Sequence, residues 1–164
     1  MRRKEKAVTE PADIESIIGA APYFTLGLTD GAEAYMVPLD FGYSPNDQAL
    51  GSVYFHCARS GRKLEIIKAN SQVSLLFVAA GHALIDEGDG SMACTLNTDY
   101  RSVMALGEAR IIENEDEKLA AMRVVLRQHG CEHLPVAPDN LAKTALVRID
   151  LKEAVGKAYK QRRS

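Results

Sequence analysis

No apolar run in this sequence approaches the roughly 18 residues that a membrane-spanning helix needs, so no membrane partner is expected. Neither sign of charge dominates: 20 Lys and Arg stand against 22 Asp and Glu, a formal net charge of −2. Proteins whose main partner is duplex nucleic acid carry a clear basic excess, so nucleic acid is not an expected partner either. The charged opening Met1-Arg2-Arg3-Lys4-Glu5-Lys6 runs into no hydrophobic stretch, and a secretory signal is not expected. Cysteine is scarce. Cys57, Cys94 and Cys131 are odd in number, far apart and never in a Cys-x-x-Cys, which reads as reduced thiols of a cytoplasmic protein rather than a disulfide framework. Gly-x-Gly-x-x-Gly, a Walker-type phosphate loop, Gly-x-Ser-x-Gly and His-Glu-x-x-His are all missing. Dinucleotide domains, nucleotide hydrolases, serine hydrolases and zinc proteases thereby lose most of their support.

What is present is the make-up of an ordinary globular protein, 46% hydrophobic and 26% charged. The 164 residues suit one domain, with a core from about 9 to 157 between basic, solvated tails. That length leaves no room for a cofactor domain beside a substrate domain. Thr9-Glu10-Pro11 starts a helix that carries Ile14, Ile17 and Ile18 and stops at Gly19 to Pro22. Phe24, Leu26 and Leu28 then alternate as in a strand, and Asp30-Gly31 is a hairpin signal. The return strand has the clearest pattern, with Tyr35, Val37, Leu39, Phe41 and Tyr43 on one face. Ser44 to Gly51 is a polar turn and Ser52 to Cys57 a third strand. Ser60-Gly61 opens a short helix that ends near Asn70.

Val73 to Ala79 is apolar on both faces, as expected of a strand buried on both sides. His82 to Gly90 reads as a loop or hairpin tip, with His82 at the surface. Tyr100 to Glu113 is a long strand in which Gly107 marks a bulge or bend. Asn114 and Glu117 form a capping box for a helix whose face is Leu119, Met122, Leu126 and His129, stopped by Gly130. Ala145, Val147, Ile149 and Leu151 alternate in the last strand. Six or more strands with hairpin-like links and a few short helices predict a mainly β, α+β fold built on an antiparallel barrel.

Three features carry chemistry. Arg59-Ser60-Gly61-Arg62-Lys63 stands where a strand ends and a helix begins, with Ser60 as N-cap and Arg62 and Lys63 in the first turn. Cations at that end oppose the helix dipole, and an anion such as phosphate, held by free backbone N–H groups, would reverse the sign. Spacing alone leaves both residues equally readable as solvated cations near Glu65. Pro38 interrupts the ladder of the best strand, which implies an edge or a gap at that point. His129-Gly130-Cys131-Glu132-His133 gathers two imidazoles and a thiol, short of the three or four ligands of a zinc site unless another residue joins. His56 lies on the strand leading into the basic helix start.

In order, Tyr35-Met36-Val37-Pro38-Leu39-Asp40-Phe41-Gly42-Tyr43, then Tyr54-Phe55-His56-Cys57-Ala58-Arg59-Ser60-Gly61-Arg62-Lys63, then Tyr100 to Ala109, resemble the flavin-binding split-barrel family. That family includes pyridoxamine 5′-phosphate oxidase, and the nearest branch looks like the nitroimidazole-resistance proteins. The resemblance runs from about Thr9 to Lys157. It implies a six-stranded antiparallel split β-barrel working as a homodimer, with FMN, or FAD, at the subunit interface. By the resemblance, Arg62 and Lys63 hold the flavin phosphate, with Ala58 and Gly61 in the same motif. The Val37-Pro38-Leu39 backbone lies along the isoalloxazine ring, Phe55 and His56 sit beside ring or ribityl chain, and Ser102 replaces a flavin-contacting glutamine. Tyr35 and Asp40 stand where the oxidases have arginine and lysine, and their tryptophan-containing substrate segment has no counterpart in a chain without tryptophan. Pyridoxamine-phosphate oxidation is therefore not expected.

These readings lead to an FMN-dependent oxidoreductase that reduces a small, electron-poor substrate such as a nitroimidazole. His56 is its candidate catalytic proton donor, since imidazole titrates near neutral pH. A flavin-binding or flavin-sensing protein without turnover is the alternative, as is a barrel that holds haem or a metal through His56 or the 129–133 segment.

Overall fold

The computed structural model describes residues 4–46, 49–79, 84–86, 90–91, 93 and 96–159. In chain order the strands are β1 (Ala7–Val8), β2 (Phe24–Asp30), β3 (Glu33–Leu39), β4 (Gly42–Asn46), β5 (Ala49–Ala58), β6 (Gln72–Val78), β7 (Leu84–Asp86), β8 (Leu96–Thr98), β9 (Arg101–Ile111) and β10 (Thr144–Ala158). The helices are α1 (Pro11–Ala20), α2 (Arg62–Ala69), α3 (Glu115–Gln128) and α4 (Pro138–Ala142). No helix among the described residues is long and apolar enough to cross a membrane. The main sheet has eight strands rather than six, in the order β3-β2-β6-β9-β10-β5-β4, with β1 added to β10. Every pairing in it is antiparallel. β7 and β8 form a separate two-stranded hairpin.

The sheet does not close, which makes it a split barrel, and the split falls inside the segment expected to be one strand. Residues 35–43 are divided between β3, which pairs with β2, and β4, which pairs with β5 at the opposite edge. Asp40 and Phe41 join the two edges. The reason is Phe41, whose ring is fully buried. It packs edge-on against Phe24 at 5.6 Å and Phe77 at 5.2 Å, so the chain turns inward there instead of continuing along β2. Pro38 accordingly sits on an edge strand, as its missing N–H requires.

β10 is the longest strand and pairs with β9 over almost its whole length. Its first half also pairs with β5 and its end with β1. The register shifts between Leu151 and Glu153, opposite Gly107 and Leu106. The bulge thus lies in β10, across from the glycine that signalled it. A Cβ at Gly107 would stand 2.7 Å from Ile149 Cγ2, so the crowding explains the glycine.

Four expectations need correction. Val73 to Ala79 is not covered on both sides: in β6 Val73, Leu75 and Phe77 are buried, while Ser74, Leu76 and Val78 face outward. The buried face of α3 is Lys118, Ala121 and Val125, a rotation from the expected Leu119, Met122, Leu126 and His129. Asn114 does cap α3, its Oδ1 accepting from the Glu117 N–H at 2.9 Å, but the Glu117 carboxylate turns to Arg110 instead of closing the box. The basic ends are partly built into the sheet. Lys6 lies over the Tyr159 ring and Lys157 belongs to β10, while residues 1–3 and 160–164 lie outside the described residues.

α3 is fastened to the sheet by ions and by a glycine. Arg110 Nη1 donates to Glu117 Oε2 at 3.1 Å, and Ser52 Oγ and Arg148 Nε both donate to Asp150 Oδ1 at 2.7 Å. Hydrogen bonding from Arg110 holds the Glu117 carboxyl below its ordinary range. For Asp150 burial pushes upward, but the bonds from Ser52 and Arg148 outweigh it and the carboxyl also sits low. Groups depressed by folding contribute stability above their unfolded pKa and lose it as pH falls through the folded value. The urea midpoint is therefore expected to drop as pH falls below the ordinary carboxylate range of about 4, and to drop less in a Glu117→Gln, Asp150→Asn variant. At Gly42 an added Cβ would lie 2.5 Å from the Val124 carbonyl group in the α3 backbone. Gly42→Ala is expected to lower the unfolding free energy by about 1–3 kcal/mol in a urea titration.

Candidate functional site

The end of β5 and the start of α2 form a cationic corner. β5 stops at Ala58, and Arg59, Ser60 and Gly61 carry the chain into α2 at Arg62. The N-cap is Gly61, not Ser60, and no side chain caps the helix. Gly61 has φ 144°, a conformation that favours glycine, and a Cβ there would meet nothing within 4 Å. The Leu64 and Glu65 amides bond to the Gly61 carbonyl, so the Arg62 and Lys63 amides precede the first bonds of the helix. Leu64, Ile66 and Ile67 anchor α2 by burial in the barrel core. Arg62 and Lys63 do fall in the first turn, as expected.

The cations differ in their partners. Arg59 Nη1 donates to the Ala142 carbonyl at 3.2 Å, a neutral acceptor. Arg62 Nε donates to Asp30 Oδ2 at 2.8 Å and its Nη2 to Glu33 Oε2 at 2.9 Å. These bonds, Asp30 first, push the guanidinium pKa further up. Its carbon also lies 4.9 Å from the centre of the Tyr35 ring. A cleft of about 380 Å³ opens beside Arg62, between the β2–β3 turn and α2. Lys63 takes part in no ion pair among the described residues. Burial pushes the Cys57 thiol up, and nearby Lys63 partly opposes that.

The remaining expected residues are distributed over the sheet. His56 and Ala58 are exposed on the outer side of β5, while the Phe55 side chain is fully buried against Phe24. Whatever Phe55 offers a ligand comes from its backbone. On β3, Val37 and Leu39 are half-buried and Pro38 exposed, and half of this edge strand's backbone groups face away from β2. Ser102 is half-buried on β9, opposite Val78. The structure brings Arg62 to the β2–β3 hairpin but keeps Ser102 away from His56. Their partners on β10 are Lys157 and Leu146, eleven positions apart, a separation on the order of 30 Å along a strand.

Among the described residues no group of three or more His, Cys, Asp or Glu is placed to hold a metal ion. His129 and His133 are exposed in the turn after α3, where the Cys131 thiol lies 3.4 Å from the His129 carbonyl oxygen. His82 and Cys94 lie outside the described residues.

Sequence reasoning missed two elements. One is the pair of carboxylates on Arg62, although Asp30-Gly31 had marked the turn that presents the first of them. The other is an apolar groove of about 450 Å³ on the outward face of neighbouring strands, lined by Met36, Leu76, Met104, Leu106, Glu153 and Val155 among others. Met36 is 68% exposed and Met104 51%. The apolar outer face of β6 was its signal, misread as complete burial.

An open antiparallel split barrel with a cationic helix start beside an exposed edge strand defines a small class of proteins. The chain belongs to the pyridoxamine 5′-phosphate oxidase family, whose sequence model matches residues 10–158. Among curated proteins none matches. The fold is similar to that of a Bacteroides thetaiotaomicron protein described as a candidate 5-nitroimidazole antibiotic resistance protein, at 26% identity and a TM-score of 0.78 over 92% of this chain and 85% of that one. It is also similar to the flavocytochrome Anf3 from Azotobacter vinelandii, at 23% identity and a TM-score of 0.79 over 98% of this chain and 72% of that one. A FAD and haem binding protein from Mycobacterium smegmatis is 14% identical, with a TM-score of 0.76 over 95% and 74% of the two chains. The likeness to these last two is one of fold.

Proposed function

We propose that the chain is one flavin-binding domain that works as a homodimer and reduces small, electron-poor substrates such as nitroimidazoles. The observation that carries this reading is the cationic α2 start, with open space at Gly61 and amides ahead of the first helical bonds, in a chain of this family. The residues fit a phosphorylated flavin. The Arg62 and Lys63 side chains, Arg59 and the Arg62 and Lys63 amides would take the phosphate. The outward backbone of Val37 to Leu39 would receive the flat ring. FMN would end at that phosphate, and FAD could extend its second half into the cleft beside Arg62.

Bound flavin supplies hydride or single-electron transfer. The chain's own residues bind, orient and donate: His56, exposed on β5, is the proposed proton donor to the reduced substrate. The relative described for 5-nitroimidazole resistance supports the substrate class. The flavocytochrome and the FAD and haem binding protein support the flavin, and make haem the competing cofactor.

Two observations support the second copy. The outward groove leaves five large apolar side chains, Met36, Leu76, Val78, Met104 and Leu106, at least 38% exposed on one face. Covering such a patch is a usual reason for association. In addition, Ser102 and His56 pair with β10 residues eleven positions apart, a spacing that favours their serving two different flavins. A site using both draws one from each protomer.

Purified protein titrated with FMN is expected to turn yellow, with flavin absorbance shifted from that of free FMN. Replacing Arg62 and Lys63 together with Ala should weaken FMN by roughly tenfold or more while leaving riboflavin unaffected. His56→Gln should keep the flavin and slow nitroimidazole reduction by roughly 100-fold. Colourless protein with no absorbance change would sink the reading, and a Soret band would replace it with haem. Wild type should sediment as a dimer at micromolar concentration, and Met104→Glu as a monomer. A monomeric wild type in the presence of flavin would overturn the shared site.

A further inference from the structure

The guanidinium of Arg62 has two carboxylate partners within the chain. Asp30 and Glu33 occupy it from the two ends of one turn: Asp30 closes β2, Glu33 opens β3, and the two are direct partners in the register. They accept from Nε and Nη2, the edge with which a guanidinium grips a phosphate in bidentate fashion. The formal charge of the three groups sums to −1, so this trio does not itself attract an anion. Lys63, one residue on, carries no such counter-charge among the described residues. A phosphate at the α2 start therefore meets two cations without a counter-charge among the described residues, Lys63 and Arg59, and one, Arg62, whose best edge is taken.

We infer that Asp30 and Glu33 are specificity-determining residues: they compete with the ligand's phosphate for Arg62 and so set how strongly the site prefers a phosphorylated flavin over riboflavin. This rests on the flavin reading above. The competition is modest in size because all three side chains are largely exposed, at 49%, 43% and 75% for Arg62, Asp30 and Glu33. It acts on the phosphate alone, since neither carboxylate belongs to the segments proposed to meet the ring. Asn and Gln at these positions keep an oxygen acceptor for the guanidinium while removing the charge, which separates competition from loss of the turn.

The test is calorimetric titration of FMN and of riboflavin into wild type, Asp30→Asn, Glu33→Gln and the double variant. The preference for FMN over riboflavin should rise roughly two- to five-fold per substitution, with riboflavin affinity unchanged as the sign of an intact fold. Arg62→Ala should cost more FMN affinity in the D30N/E33Q background than in wild type, because only there is its edge held by neutral acceptors that a phosphate dianion displaces. Wild type that holds FMN, with variants that gain nothing or lose preference, overturns the competition alone. Equal losses from Arg62→Ala in the two backgrounds overturn it as well. Wild type that holds no flavin overturns the reading beneath it, and the inference with it.

Discussion

The structure depends on the packing of four phenylalanine rings. Phe24, Phe41, Phe55 and Phe77 are all the phenylalanines in the chain, and each is fully buried. Phe24 lies 5.6 to 6.1 Å from each of the other three ring centres and Phe41 5.2 Å from Phe77, and the four come from β2, the β3–β4 link, β5 and β6. Burying each contributes about 1.5–3 kcal/mol, with a further gain from the edge-on geometry. Phe41 is the decisive member. To reach the cluster it must leave the line of β3, which draws the two sheet edges toward one core without letting them pair.

That constraint has a functional consequence. An edge held open around a solid core leaves β3 paired on one side only, with β2, and places Pro38 on that edge strand. The core also fixes α2 from beneath, through Leu64, Ile66 and Ile67, so the cations at its start stand at the rim of the barrel. The groups proposed to bind and the core are therefore separate: the ring cluster sets positions, and the proposed chemistry falls to exposed side chains and to amides ahead of the first helical bonds. The same separation holds on the outer face, where Met36, Met104 and Leu106 stand exposed and add nothing to the core.

Much of the fold was legible because local patterns and tertiary demands agree. α1 starts at its proline, Arg62 and Lys63 fall in the first turn of α2, Gly107 lies opposite the bulge in β10, and Asn114 caps α3. Illegible parts share one cause: the deciding partner is distant in sequence. Alternation from Tyr35 to Tyr43 cannot reveal that the strand stops at Asp40, since Phe41 keeps the period while changing sheet edge. The face of α3 turns on where β4 and β5 lie against it. The Arg62 cation looked unspent because Asp30 and Glu33 stand some thirty residues earlier.

By itself the sequence determined the composition of the barrel wall, the placing of cations at a strand-to-helix junction, and the family, since these are read from neighbouring residues. Only the tertiary structure decided how those charges are spent, which strands become edges, and which apolar face is left outward. Charge neutralisation, edge formation and exposure are properties of pairs brought together from distant parts of the chain. No local period contains them.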